Sequence, residues 1–275
     1  SATAGWGFYE PSLKYIKFML NRNDQKRLVT NVLFTPDGIT KIKQDPNFST
    51  LPSWVSNVTP DNDQINNSVR ALFFSGKHYL PSNQLTLGRT DYGSNKNYII
   101  TRYAEILLMY AEAKAELGGV TQEDINASIN QLRRRPLDAT AQAKGLKNTA
   151  DMVLADITEN FDPARDKDVT PLIWEIRRER RMELFYEHCR LHDIKRWKKL
   201  EYMDNNKYPD TMIGPWVDMV KEVPAYLDEQ YIGKRQVKKE DGTVITFDGS
   251  NASEMVGYYM PTNVQPRNTF SDRSY

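Results

Sequence analysis

The run from Tyr98 to Leu117 is apolar on nearly every side: Ile99, Ile100, Tyr103, Ile106, Leu107, Leu108 and Tyr110 leave little room for a polar stripe. That pattern predicts a helix buried on most faces. Gly118-Gly119 ends it, because a helix C-terminus needs a residue at φ > 0. Thr121 and Asp124 then have capping-box spacing, with Asp in place of the usual Glu or Gln. A second helix follows, with Ile125, Ile129 and Leu132 on one face, and it stops at Pro136. Residues 137–169 read as a polar connection with a short helix over Asp151 to Asn160. Thr170 and Pro171 next offer an N-cap and a first helical position, and the pattern to Leu200 predicts one long helix.

The flanking regions are less regular. Pro11 fits the first turn of a helix running to about Leu20, whose apolar Leu13, Ile16, Phe18 and Leu20 do not define a single face. Pro36-Asp37-Gly38, Asp45-Pro46, Leu51-Pro52 and Thr59-Pro60-Asp61 punctuate turns. The short apolar runs Leu28 to Phe34 and Val69 to Phe74 are candidate strands of a small sheet. Past Leu200, Asp241-Gly242 fits a two-residue hairpin turn, and Gly257 to Tyr275 reads as extended. The expected organisation is therefore a loop-rich part (1–97), a helical part (98–200) and an irregular part with a β-hairpin (201–275). Ala104, Ala111 and Ala115 give the central helix the small residues of a tetratricopeptide-like hairpin. Only one such unit is present, whereas a solenoid needs about three or more repeats, so the hairpin packs on this chain or completes an array outside it.

Charge and composition narrow the function. With 37 basic and 36 acidic side chains the net charge is +1, which gives no field to steer the chain toward nucleic acid or an anionic membrane. Cys189 is the single cysteine, so no intrachain disulfide forms. No segment is long and apolar enough to span a membrane. Neither a signal peptide nor a lipid-attachment cysteine stands at the N-terminus, so either the protein is cytosolic or an N-terminal part is missing.

Three chemistries compete. In a continuous helix His188 and His192 share one face and can reach one Zn²⁺. Cys189, however, occupies the place where a zinc hydrolase has its general-base Glu, and the remaining histidine, His78, lies far off in sequence. Glu175, Glu179 and Glu183, interleaved with Arg177, Arg178, Arg180 and Arg181, invite an acid–base reading, but this spacing is that of a salt-bridged helix. Nucleophile elbows, P-loops and dinucleotide fingerprints are absent. The third candidate is aromatic. Sugars lay their C–H faces on rings carried by loops, while amides, carboxylates and guanidinium groups bind the hydroxyls. Trp6, Tyr9, Trp54, Tyr92 and Trp216, with Arg89, Asp91 and Asn95 nearby, have that composition; the bland reading of each aromatic is a core anchor for a long loop.

Several blocks carry a family resemblance. GWGFYEPS (Gly5 to Ser12), NDQKRL (Asn23 to Leu28), GSNKNYIITRYAEILLMYAEAKAELG (Gly93 to Gly118), INQLRRR (Ile129 to Arg135) and ERRMELFYEHCRLHDIKRW (Glu179 to Trp197) together resemble the C-terminal portion of SusD/RagB outer-membrane lipoproteins. The resemblance implies a mainly α fold: a tetratricopeptide-like hairpin plus a long helix, packed with an irregular loop-rich part and small β-hairpins. It also implies a lipid-anchored protein on the outward face of the outer membrane, with membrane contact only through the anchor. Such a protein captures oligosaccharide, or peptide in some members, for a SusC-like TonB-dependent transporter, without catalysis, metal or cofactor. His188-Cys189 replace the Gly and polar residue usual in the last block, and His192 replaces an aromatic. The resemblance assigns no ligand residue. The alternatives are a tetratricopeptide-like scaffold that binds protein or peptide, and a zinc hydrolase built on His188 and His192.

Overall fold

The computed structural model describes residues 12–33, 43–46, 74–75, 99–204, 207–208 and 213–260. Backbone proximity gathers the chain into two compact units. One comprises Ser1–Arg22, Leu28–His78 and Leu191–Tyr275, and the other Asn23–Arg27 and Tyr79–Arg190.

Helix α1 (Leu13–Asn21) begins where the Ser12 hydroxyl accepts a hydrogen bond from the Tyr15 N–H at 3.3 Å. Pro11, expected in its first turn, lies outside the described residues. The helix buries Leu13, Tyr15, Ile16 and Met19, which settles a face that its apolar residues alone left open. Helix α2 (Gln25–Asn31) leads into strand β1 (Val32–Leu33), which pairs antiparallel with β2 (Phe74–Ser75). The strand expected over Leu28 to Phe34 is thus mostly helix. Leu28, Asn31 and Val32 are all buried, a helical spacing, and the Asn31 amide donates to the Tyr15 hydroxyl at 2.9 Å.

Helix α3 (Tyr103–Glu116) starts later than expected, leaving Ile99 and Ile100 outside it and exposed. Nor is it buried on most sides. Ala104, Leu107, Leu108, Ala111 and Glu112 face the core, while Tyr103, Ile106, Met109 and Tyr110 are 42–69% exposed. Among the described residues its neighbours are the helices that follow it, and these cover a single stripe. Gly118, at φ 77°, ends α3, and its N–H donates to the Ala115 carbonyl at 3.1 Å.

The expected capping box is present: the Thr121 hydroxyl accepts from the Asp124 N–H at 3.2 Å, and the Asp124 carboxylate from the Thr121 N–H at 3.0 Å. The second helix is broken, however, into α4 (Gln122–Asn126) and α5 (Ile129–Arg133). At the break the Ser128 hydroxyl donates to the Asp124 carbonyl at 2.6 Å. Ile125, Ile129 and Leu132 are nonetheless all buried, as their spacing predicts, with Leu108, Met152, Ile176 and Leu184.

After α6 (Ala139–Ala143), the helix expected over Asp151 to Asn160 shrinks to a 3₁₀ turn, Leu154–Asp156. Side chains have taken its backbone groups: the Met152 N–H donates to Asn130 Oδ1 at 2.7 Å and the Leu154 N–H to Gln122 Oε1 at 2.8 Å.

Helix α7 (Pro171–Glu183) has Thr170 at its N-cap and Pro171 in its first turn as expected, although the Thr170 side chain makes no capping bond. The single helix expected to Leu200 does not form. Tyr186 and His188 stand at φ 58° and 62°, outside helical geometry, and α8 (Arg190–Arg196) starts anew.

In the other unit, β3 (Trp216–Asp218) runs into the short helix α9 (Met219–Glu222), and β4 (Gln236–Lys238), β5 (Val244–Thr246) and β6 (Val256–Met260) complete an antiparallel sheet of order β3-β6-β4-β5. Period-two alternation sends Val217, Val237 and Tyr259 into a core with Met219, Phe247 and Met255. Trp216, Tyr258, Lys238 and Val244 form a cross-strand row on the opposite face. The β4–β5 turn differs from the expected two-residue form. Gly242, at φ 91°, follows the turn, the Gly242 N–H donates to the Lys239 carbonyl at 3.1 Å, and the Lys239 N–H donates to the Thr243 carbonyl at 2.7 Å. The architecture is mainly helical with a small antiparallel sheet, as expected.

Candidate functional site

Of the aromatic candidates read from the sequence, Trp216 is the one among the described residues; Trp6, Tyr9, Trp54, Arg89, Asp91, Tyr92 and Asn95 lie outside them. Strand alternation turns Trp216 away from the Val217 core, and it is half-buried. Its cross-strand neighbour is Tyr258, with ring centroids 4.9 Å apart at 88°, an edge-to-face contact.

Tyr258 is itself anchored. Its hydroxyl donates to Asp45 Oδ1 at 2.7 Å and accepts from Lys17 Nζ at 3.2 Å. Lys17 also pairs with Asp45 Oδ2 at 2.8 Å and lies 4.5 Å above the Tyr258 ring. Asp45 is 1% exposed, and an ammonium and a hydroxyl help to offset the burial of its carboxylate. The trio holds the Tyr258 ring, and through it the Trp216 indole, in one orientation.

A cleft of about 370 Å³ opens beside Trp216, lined by Gln44, Asp218, Lys221, Glu222 and Val256. Its carboxylates have structural duties. Asp218 caps α9 through the Lys221 N–H at 3.2 Å and pairs with Lys221 Nζ at 2.8 Å, while Glu222 accepts from the Asp218 N–H at 2.9 Å. Hydrogen bonding to Lys221 holds the Asp218 carboxyl below its usual range, so at neutral pH it accepts hydrogen bonds and donates no proton. A second cleft of about 300 Å³ lies on the Tyr258 side, between α1 and the end of β4. Both clefts are at the small end for ligand sites. Sequence reading missed Tyr258, Asp45 and Lys17. Alternation in the VGYYM segment signals that Tyr258 and Tyr259 face opposite ways, but nothing local reveals that Trp216 stands opposite Tyr258.

The metal and acid–base candidates fall elsewhere. His188 sits in the turn between α7 and α8 and His192 within α8, so the shared helical face that a zinc pair requires does not exist. Among the described residues no group of three His, Cys, Asp or Glu is placed to hold a metal. The glutamates of α7 form a buried ion-pair lattice. Glu179 accepts from Arg27 Nη2 at 2.6 Å and Arg133 Nη2 at 2.7 Å, and Glu183 from Arg27 Nε at 2.9 Å and Arg102 Nη1 at 2.7 Å. Burial pushes both carboxyls up, but the guanidinium groups outweigh it. Arg133 and Arg27 hold Glu179 well below the carboxylate range, and Arg27, Arg135 and Arg102 bring Glu183 down to about 2. Carboxylates fixed in the ionised state this firmly are structural counter-ions, poorly suited to proton transfer.

Among the described residues, no helix is long and apolar enough to cross a membrane. Comparison with curated proteins and with solved structures gives no match. The model of the SusD family (SusD/RagB), in contrast, matches residues 3–267, nearly the whole chain. With a match of that extent, and with the predicted mainly α fold and small sheet in place, the chain belongs to the SusD family.

Proposed function

We propose that this protein binds oligosaccharide on the outward face of the outer membrane for delivery to a SusC-like TonB-dependent transporter, without catalysis. Family membership supports the class of function. The observation that carries the reading on this chain is Trp216, half-buried on the outer sheet face, locked edge-on by Tyr258 and bordering a cleft lined with amide, carboxylate and ammonium groups. A fixed indole beside polar side chains matches the C–H face and hydroxyl rim of a sugar. The remaining platform residues of this proposal are Trp6, Tyr9, Trp54 and Tyr92, with Arg89, Asp91 and Asn95 binding hydroxyls. Membrane attachment would be through a lipid anchor. The test is calorimetry against a panel of neutral and acidic oligosaccharides, repeated with Trp216→Ala and with Trp6→Ala/Trp54→Ala. Affinity for one glycan class that drops at least about tenfold in these variants supports the reading; unchanged affinity removes the assigned residues from the site.

One observation favours a second reading, a tetratricopeptide-like scaffold for a protein or peptide partner. Tyr103, Ile106, Met109 and Tyr110 give α3 a contiguous exposed apolar face, which on a soluble surface marks an interaction site. Under this reading Ile106→Asp abolishes partner binding, and no sugar affinity is measured in the unaltered chain.

A further inference from the structure

Helix α3 carries two apolar seams. The inner one runs through Ala104, Leu108, Ala111 and Ala115, at steps of four, three and four, and packs in the core of its unit. On the opposite side Tyr103, Ile106, Tyr110, Ala113 and Leu117 recur at steps of three, four, three and four, and all five are exposed. This is the heptad spacing of a helix that packs lengthwise on another helix. Leu117 extends the seam because the C-cap keeps right-handed helical geometry, at φ −75° and ψ −8°. Met109 flanks the seam and is exposed too. The charged residues beside it are held within the chain, Lys114 by Asp124 at 3.3 Å and Glu116 by Arg177 at 3.8 Å. Closing the seam against an apolar surface therefore buries no unpaired charge from these two.

The seam fits itself in one orientation. Set antiparallel, with Ile106 against Tyr110 of a second copy, α3 also brings Tyr103 against Ala113 of that copy and Met109 close to its own counterpart. Each bulky side chain then meets a smaller one, as close packing of facing helices requires. A parallel, in-register pair instead sets Tyr103 on Tyr103 and Ala113 on Ala113. That crowds one end, leaves a gap at the other and aligns the two helix dipoles unfavourably. Tyr103, Ile106, Met109, Tyr110 and Leu117 together expose on the order of 650 Å², within the roughly 600–1,000 Å² that each partner gives up in a standard-size interface. A two-fold pair uses the same patch on both copies, so one seam suffices.

We propose that α3 pairs antiparallel with α3 of a second copy of this chain, so that the protein forms a two-fold dimer through this seam. The inference is independent of glycan binding. It gives the apolar face of the scaffold reading one occupant, a second copy, in place of a foreign protein or peptide. Within the pair Tyr110 keeps its hydroxyl bond to Asp124, which fixes the direction in which its ring meets Ile106 of the second copy.

The test is sedimentation equilibrium of the unaltered chain over a range of concentrations, repeated with seam variants. The unaltered chain should follow a monomer–dimer equilibrium. Ile106→Asp should weaken it at least about tenfold, with far-ultraviolet circular dichroism unchanged because the side chain is exposed. Tyr103→Ala and Ala113→Tyr should each weaken the dimer. Tyr103→Ala/Ala113→Tyr should bring it back to within about threefold of the unaltered chain, because the exchange again sets a large side chain against a small one. A chain that is monomeric at every concentration overturns the proposal. A dimer as strong in Ile106→Asp as in the unaltered chain also overturns it, since such a dimer forms elsewhere. A double exchange that recovers nothing overturns the antiparallel pairing. A monomer that binds a helical peptide through this face, and loses it in Ile106→Asp, assigns the seam to that peptide and overturns the second copy as occupant. Calorimetry with oligosaccharides keeps the two readings apart: sugar affinity in a monomer sinks the dimer alone, and a dimer without sugar affinity sinks glycan binding alone.

Discussion

Replacing Glu179 by Gln should destabilise the unit containing α7 more than any exposed ion-pair change in it. Glu179 is 0% exposed. Its two oxygens take hydrogen bonds from Arg27 Nη2 at 2.6 Å, Arg133 Nη2 at 2.7 Å and Arg133 Nε at 3.2 Å, with Arg178 Nη2 at 3.9 Å. The Gln variant keeps the shape, removes the charge and turns one acceptor into an NH₂ donor facing a guanidinium donor. Removing one partner of a buried pair costs about 3–5 kcal/mol, because the remaining charge is left uncompensated. Arg27 keeps Glu183 at 2.9 Å and Arg133 keeps Glu175 at 3.5 Å, so the lower end applies. The expected loss is about 3 kcal/mol, a large share of a typical domain's 5–15 kcal/mol. Urea unfolding monitored by far-ultraviolet circular dichroism measures it, with an unchanged slope confirming two-state comparison. Arg134→Ala is the reference. It breaks the Arg134–Asp151 pair, whose side chains are 54% and 38% exposed, and should cost no more than about 1 kcal/mol. If Glu179→Gln costs no more than that reference, the lattice contributes nothing specific and the reasoning fails.

Three further outcomes follow from the same geometry. Glu183 titrates near 2 in the folded chain against its usual 4.5, and Glu179 is also depressed, so their stabilisation is complete above about pH 5 and is lost as pH falls through the folded values. Thermal melts should be insensitive to pH from 7 to 5 through these groups and drop steeply toward pH 2, by an amount on the order of 3 kcal/mol for Glu183 alone; an equally steep drop in Glu183→Gln would contradict this. Lys198 stands at φ 54° just past α8, so Lys198→Gly should be neutral or stabilising by up to about 1 kcal/mol, whereas in a helix continued to Leu200 the same change would destabilise by about as much. The sign of the change in urea midpoint decides between the two. At Gly257 an added Cβ would stand 2.6 Å from the Lys238 carbonyl oxygen across the β6–β4 pair, so Gly257→Ala should cost about 1–3 kcal/mol and loosen the strand that carries Tyr258. Near-ultraviolet circular dichroism of the Trp216–Tyr258 pair reports this, and an unchanged spectrum and melt would refute it.

The sequence by itself determined what short-range forces control. Gly118 had to end α3, Thr121 and Asp124 had to cap α4, and Thr170-Pro171 had to open α7, because φ restrictions and capping bonds act within a few residues. The spacing of Ile125, Ile129 and Leu132 placed all three in the core even though the helix carrying them breaks at Ser128. The blocks from Gly5 to Trp197 carried the family. Tertiary structure alone decided the rest. Arg102, 81 and 85 residues away, holds Glu183 and Glu187 across the turn that splits the expected long helix, and no local pattern announces that contact. Arg27 supplies counter-charge to Glu179 from 152 residues away, so the lattice was legible as charge but not as partners. The exposed side of α3 could not be told from its buried side, because its apolar residues cover the whole circumference and only its neighbours choose a face. Trp216 was legible as an aromatic, but Tyr258, Asp45 and Lys17 become its supports only through strand register and the packing of α1, which bring together residues more than 200 positions apart.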